Sequence, residues 1–340
     1  MKAALPRSEA PSPEFDIQQQ YVDLAHADEP LRYIVAAPSG RPPQPPRRPR
    51  TSREDKIIDA GANVMGSDPG VEDLVFGAKC LVSASLPYRK PLPDQLVDGA
   101  WIRKNGDYTL WIQGAPTLGL PYGAYPRLFV IWLTSEAIRT GSRHISTGRS
   151  FAEFCRKLHV DSSRGKKGAG KRMTEQAERL LASRAGFVTG NLKTSGAEKT
   201  ELMQFADDFT LFFDGSGDDR QQMLFRSEIV ITQRFFNEIT AHCIPIDVRA
   251  VIPLQQAPLE LDIYQWLAYR MFALKTASRP TWPQLRSQFG SNYGRMIDFK
   301  TNFLEALNRV KSVYPRANVD YNDQGLVLHP SPPPVPPRQL

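Results

Sequence analysis

The sequence predicts an α+β chain, mainly helical, built as two similar units in tandem between flexible, proline-rich termini. Three observations carry that expectation: an internal repeat of helix and strand signals, a hydrophobic fraction of 41% in 340 residues, and proline runs near both ends. A chain of this length and apolar content suffices for two ordinary domains, each with its own core.

The elements follow in order. Residues 37 to 50, "APSGRPPQPPRRPR", hold six prolines and four arginines, a composition that favours extended, solvated backbone over packing. Residues 1–52 are therefore expected to form a disordered Pro/Arg-rich arm, which could grip DNA, meet a protein partner or act as a tether. "REDKIIDAGANVMG" (53–66) reads as a short amphipathic helix, and "WIRKNGDYTLWIQG" (101–114) as a hairpin turning at Asn105-Gly106. The first copy of the repeat opens with an apolar helix over 125–141, passes through extended "RHIST" (143–147), and enters a helix over 150–160 with Ser150 as N-cap. The second copy lies 134 residues on, counting from Trp132 to Trp266, and runs through "LDIYQWLAYRMFALKT" (261–276), "RPTW" (279–282) and "PQLRSQFG" (283–290). A longer helix follows each copy, over 170–184 and 293–314, and then come strand-like segments with polar turns. Helix, short strand, helix, helix, hairpin is the element order of a winged helix. The layout expected is a first winged-helix domain over 53–250, with the N-terminal helix and hairpin included, a second over 251–330, and a Pro-rich tail over 331–340.

Charge is unevenly spread. The whole chain carries +7 with a pI near 9.3, yet the stretch from Arg143 to Lys193 alone holds 12 Lys/Arg against 4 Asp/Glu. That excess centres on "GKKGAGKR" (165–172), which has the glycine and lysine spacing of a phosphate-binding loop. Such a loop needs a strand feeding it and a Ser or Thr after the lysine to hold magnesium. Arg172 stands in that place, and the preceding "FCRKLHVDSS" reads as a helix end. An ATP-dependent enzyme would have this loop as its sole support, so no enzymatic activity and no cofactor are expected.

The other reading is contact with double-stranded DNA. In the helix that follows, Met173, Ala177, Leu180 and Leu181 fall on one face, while Arg172, Gln176, Arg179 and Ser183 share another within a wedge of roughly 60°. Arginine and glutamine are the side chains that read guanine and adenine edges in a major groove. Arg164, Lys166, Lys167 and Lys171 precede them, where cations hold phosphate. A solvated surface helix would carry the same charge, and the concentration of cations next to a helix-turn-helix order is what favours DNA. On the second long helix, Met296, Phe299, Phe303, Leu307, Val310 and Tyr314 make the core stripe. Arg295, Asn302 and Arg309 take the polar side, with Lys300 placed to snorkel beside the stripe; a plain amphipathic helix fits there equally well.

Other chemistry has little support. Cys80, Cys155 and Cys243 are odd in number and unpaired by spacing, as in a cytoplasmic protein with free, buried thiols. Cys155 and His159 stand four apart but lack a second ligand pair for zinc, and Asp207, Asp208, Asp214, Asp218 and Asp219 sit largely in a Gly/Ser-rich turn, so no metal is expected. The longest apolar run, "LFVIWL" (128–133), falls far short of the roughly 20 residues of a membrane span.

The run "LPYGAYPRLFVIWLTSEAIRTGSRHISTGRSFAEFCRKLHV", the basic loop and helix after it, and "RMFALKTASRPTWPQLRSQFGSNYGRMIDFKTNFLEALNRVKSVYP" before "GLVLHPSPPPV" together resemble the plasmid-encoded replication initiators of the RepA type, over about residues 56 to 335. The resemblance implies a tandem winged-helix protein that binds direct repeats at a plasmid origin, promotes opening of the duplex and recruits the host replicative helicase beside a host initiator. It also implies homodimers that repress their own promoter and monomers that act at the origin. A sequence-specific transcriptional repressor without a replication role would need the same DNA-reading face.

Overall fold

The structure, a computed structural model, describes residues 53–147, 151–160, 168–190, 198–211, 228–290 and 293–336. The expected arm and the Ser150 cap lie outside them. Helix α1 (Arg53–Gly66) is the predicted amphipathic segment, and it presses so closely on the C-terminal part of the chain that a Cβ at Gly61 would overlap the Ser312 carbonyl. Strand β1 (Leu74–Ala78) and helix α2 (Lys79–Ser83) lead into the hairpin β2 (Ala100–Asn105) and β3 (Tyr108–Gln113). Asn105 pairs with Tyr108, so the turn is Gly106-Asp107 and starts one residue later than expected. Gly106 has φ +60°, the left-handed value that a tight hairpin needs at a central position and that glycine adopts without strain.

The first unit continues with α3 (Ala124–Thr140), β4 (His144–Ser146), α4 (Phe151–Lys157), α5 (Ala169–Leu181), β5 (Arg184–Gly190), β6 (Glu198–Gln204), β7 (Ala206–Thr210), β8 (Glu228–Ile231) and α6 (Gln233–Ala241). Strand β9 (Cys243–Asp247) and helix α7 (Val248–Leu254) connect it to the second, which comprises α8 (Pro258–Ala273), α9 (Trp282–Phe289), α10 (Met296–Val313), β10 (Val319–Tyr321) and β11 (Leu326–Leu328). Helix α7 straddles the expected boundary at 250/251, capped by Asp247, whose Oδ1 accepts from the Arg249 amide at 2.9 Å.

The named strands pair antiparallel in four sheets, ordered β1-β9, β2-β3-β5-β6, β4-β8-β7 and β10-β11. Strands β6 and β7 are separated by Phe205 alone. That residue is fully buried edge-on to Phe235, at a ring separation of 5.2 Å, and so fixes the point where one stretch of chain leaves the four-stranded sheet for the three-stranded one. The larger of two apolar clusters runs from Ile57 to Leu328 through both halves of the described chain. Within it the repeat reappears as packing. In the first unit Trp132 of α3 stands edge-on to Phe154 of α4 at 5.2 Å, and in the second Trp266 of α8 stands edge-on to Phe289 of α9 at 5.5 Å.

The C-terminal tail departs from expectation. Val335 is buried with Leu74, Phe76, Ile138 and Cys243, and the Tyr314 hydroxyl donates to the Pro332 carbonyl at 2.6 Å. A proline run has few amide hydrogens to satisfy, so it can lie on an apolar surface without a sheet partner.

Candidate nucleic-acid interface

Helix α5 buries Met173, Ala177, Leu180 and Leu181 completely, as their spacing requires. The described chain before it, α4 and residues 158–160, contains no strand that could feed a phosphate-binding loop. Arg164, Lys166 and Lys167 lie outside the described residues. Lys171 is exposed, with its ammonium 4.0 Å from Glu175. Arg172 is also exposed, and its guanidinium lies 5.4 Å from the Tyr125 ring centre.

The rest of the expected reading face is covered. Gln176 is 5% exposed and its side-chain oxygen accepts from the Tyr122 amide at 2.7 Å. Ser183 is buried, its hydroxyl donating to the Leu180 carbonyl. Arg179 stacks 5.4 Å from the Tyr122 ring centre and donates to the Leu120 carbonyl at 3.4 Å. The segment 119–125 runs along this side of α5, so Gln176 serves packing and not base recognition. A helical wheel sees only one helix, and nothing in it announces that an earlier segment covers the polar face.

In the second unit, Arg295 is 77% exposed and pairs with Asp298 at 2.7 Å, and its hydrogen bond holds the Asp298 carboxyl below the usual range. Asn302 is exposed and donates to the Asp298 backbone carbonyl at 2.8 Å. Arg309 turns inward, 3.4 Å from the buried Glu260, which also pairs with Arg53. It ties α10 to α8 and α1 and is withdrawn from the DNA-facing set. Lys300 snorkels as expected, 5.2 Å from the Trp282 ring centre, donating to the Asp323 carbonyl at 3.3 Å.

The structure adds residues that the helical faces did not suggest. The tripeptide Leu-Pro-Tyr occurs twice, at 86–88 and 120–122, and the fold brings the two copies together. The Gly123 amide donates to the Pro87 carbonyl at 3.0 Å. Arg127, buried, donates to the Leu86 and Gly123 carbonyls at 2.6 Å each and grips both carboxylate oxygens of Asp262 at 2.7 and 2.8 Å. Its guanidinium also lies 4.9 Å from the Tyr88 ring centre. Burial, reinforced by the Asp262 charge, pushes the Tyr88 phenol up and keeps it neutral. Above this clamp opens a groove lined by Tyr88, Arg89, Lys90, Tyr122, Tyr125 and Arg172. The duplicated tripeptide was the available signal, overlooked because each copy reads alone as an ordinary turn.

Elsewhere the chemistry is quiet. The three cysteines are buried, and burial pushes the Cys243 thiol up to about 12. His159 lies beyond the end of α4, at φ +52°, so Cys155 and His159 do not share a helix. Asp207 pairs with Arg143 at 2.9 Å, and Asp214, Asp218 and Asp219 lie outside the described residues. Among the described residues no group of three or more His, Cys, Asp or Glu is placed to hold a metal ion, and no helix is long and apolar enough to cross a membrane.

Residues 120–284 match the family described as plasmid encoded RepA protein, which bears out the resemblance from α3 to the start of α9. No curated protein matches the chain. Among solved structures, a crystal structure of domain 2 and domain 3 of RctB is similar at 11% identity, covering 68% of this chain and 82% of that one, with a TM-score of 0.43.

Proposed function

We propose that this chain, of the plasmid-encoded RepA family over residues 120–284, is a plasmid replication initiator that binds direct repeats in duplex DNA through two winged-helix units. The family match is the observation that carries the reading. Two features of the fold support the winged-helix part. In the first unit β4, ahead of α4 and α5, pairs with β8 of the β7–β8 hairpin. In the second, Ser278 and Thr281, ahead of α9 and α10, bridge to Leu328 and Gly325 of the β10–β11 hairpin. A strand before the helix pair, joined to a hairpin after it, is what appends a wing to a helix-turn-helix.

The role is one of binding and recruitment, not catalysis. Lys171 and Arg172, with Arg164, Lys166 and Lys167 ahead of them, hold phosphates; Arg295 and Asn302 do so for the second unit, and Arg179 props the Tyr122 loop. The bound protein opens the origin and recruits the host helicase and host initiator in the cytoplasm, and its dimer represses its own promoter. The test is replication of a plasmid that lacks its initiator gene, with the chain supplied in trans. The wild type restores replication, and Lys171→Ala with Arg172→Ala abolishes it. Repression of the promoter without any replication would leave a repressor and remove the initiator role.

A further inference from the structure

The groove beside the Arg127 clamp is lined by the first unit and by Gln255, Gln256 and Pro258, where the chain passes to α8. Tyr88 and Tyr122 of the two Leu-Pro-Tyr turns line it, together with Ala169, Arg172, Glu175 and Gln176 of α5. The stretch of chain that carries Arg89 and Lys90 is tied to α9 at both ends, where Gln288 donates to the Val82 carbonyl at 3.0 Å and the Ser287 hydroxyl donates to the Lys104 carbonyl at 2.6 Å. Arg103, on β2, donates to the Ser287 carbonyl at 3.4 Å; Arg286 donates to the carbonyls of Tyr293 and Gly294; and the Arg89 cation opposes the burial that raises the Tyr293 phenol. Arg89 and Lys90 are both exposed, and no carboxylate of the described residues pairs with either. Loop cations are usually mobile, but here the backbone at 86 and 87 is pinned by Arg127, and Tyr88 is held over two buried guanidinium groups, Arg127 at 4.9 Å and Arg103 at 5.9 Å.

We infer that Arg89 and Lys90 form a rigid phosphate clamp that grips the duplex backbone between the segments contacted by the two units. The inference rests on the DNA-binding reading and adds a third contact to it. A flexible pair of cations would raise affinity without fixing register, whereas a pinned pair sets the distance and rotation between the two bound segments, because backbone contacts position a protein on the duplex.

The experiment compares the full-length chain with the double variant Arg89→Ala, Lys90→Ala, using Lys56→Ala, exposed on α1, as the control. Binding to a duplex bearing the repeats and to a scrambled duplex is titrated against salt, and circular dichroism checks the fold. Each neutralised phosphate contributes about 0.9 to the slope of log affinity on log salt. The double variant is expected to lose about 1.8 of that slope on both duplexes, with its preference for the repeats unchanged and Lys56→Ala matching the wild type. An unchanged slope on both duplexes in a folded double variant overturns the clamp. A wild type without preference for the repeats would instead overturn the sequence-specific reading, while the slope on scrambled duplex would still report the clamp.

Discussion

Arg127 shows how one side chain can hold a site that it does not itself present. It is buried and joins two loops to α8 through Asp262. Removing one partner of a buried pair strands the other charge, at a cost of about 3–5 kcal/mol. Arg127→Met is therefore expected to lower the unfolding free energy measured by chemical denaturation by that much and to weaken DNA binding only through loss of fold; a variant with wild-type stability would remove the clamp from the account. The sequence did not disclose this residue. Arg127 sits in the apolar run of α3, where an isolated arginine resembles a surface position, and its partner lies 135 residues away. Gln176 failed in the opposite sense, since its type and spacing suited base recognition while the 119–125 segment covered it.

At the scale of elements, local signals were more faithful. The amphipathic face of α5, the core stripe of α10 except for the partly exposed Met296, and the hairpin ends were legible because period and turn chemistry are local properties. Partnership between strands was not. The hairpin β2–β3 gives no hint that β5 will add to it, nor that β6 and β7 divide at Phe205 between two sheets, because each choice depends on distant side chains meeting in the core. The β10–β11 hairpin illustrates how tightly such a partnership is set. A Cβ on Gly325 would overlap the Pro280 carbonyl, where the Leu326 amide is hydrogen-bonded. Gly325→Val is expected to push the β10–β11 hairpin off the 278–281 segment and to cost about 1–3 kcal/mol by overpacking, read as a lower thermal midpoint. A neutral effect would mean that the bridge contributes nothing to the unit.

Over the whole molecule, the repeat predicts two units, whereas the described residues from Ile57 to Leu328 share one large apolar cluster. That cluster spans both, α7 crosses the expected boundary, and the tail folds back so that Val335 covers Leu74, Phe76 and Ile138. Truncation after residue 330 is expected to expose that patch and to destabilise the fold by about 1.5–3 kcal/mol, the scale of one buried apolar side chain, measured by urea denaturation; an unaltered midpoint would show that the tail is dispensable. Under the proposed function, a firm joint would also fix the geometry with which α5 and α10 meet DNA, and so favour direct repeats at a set spacing. The most direct measurement is binding of the purified chain to duplex DNA flanking its own gene, against scrambled competitor across a range of salt. The account predicts a preference of at least about a thousandfold for one repeated site, the range of specific binders, and equal salt-sensitive binding to every sequence would contradict it.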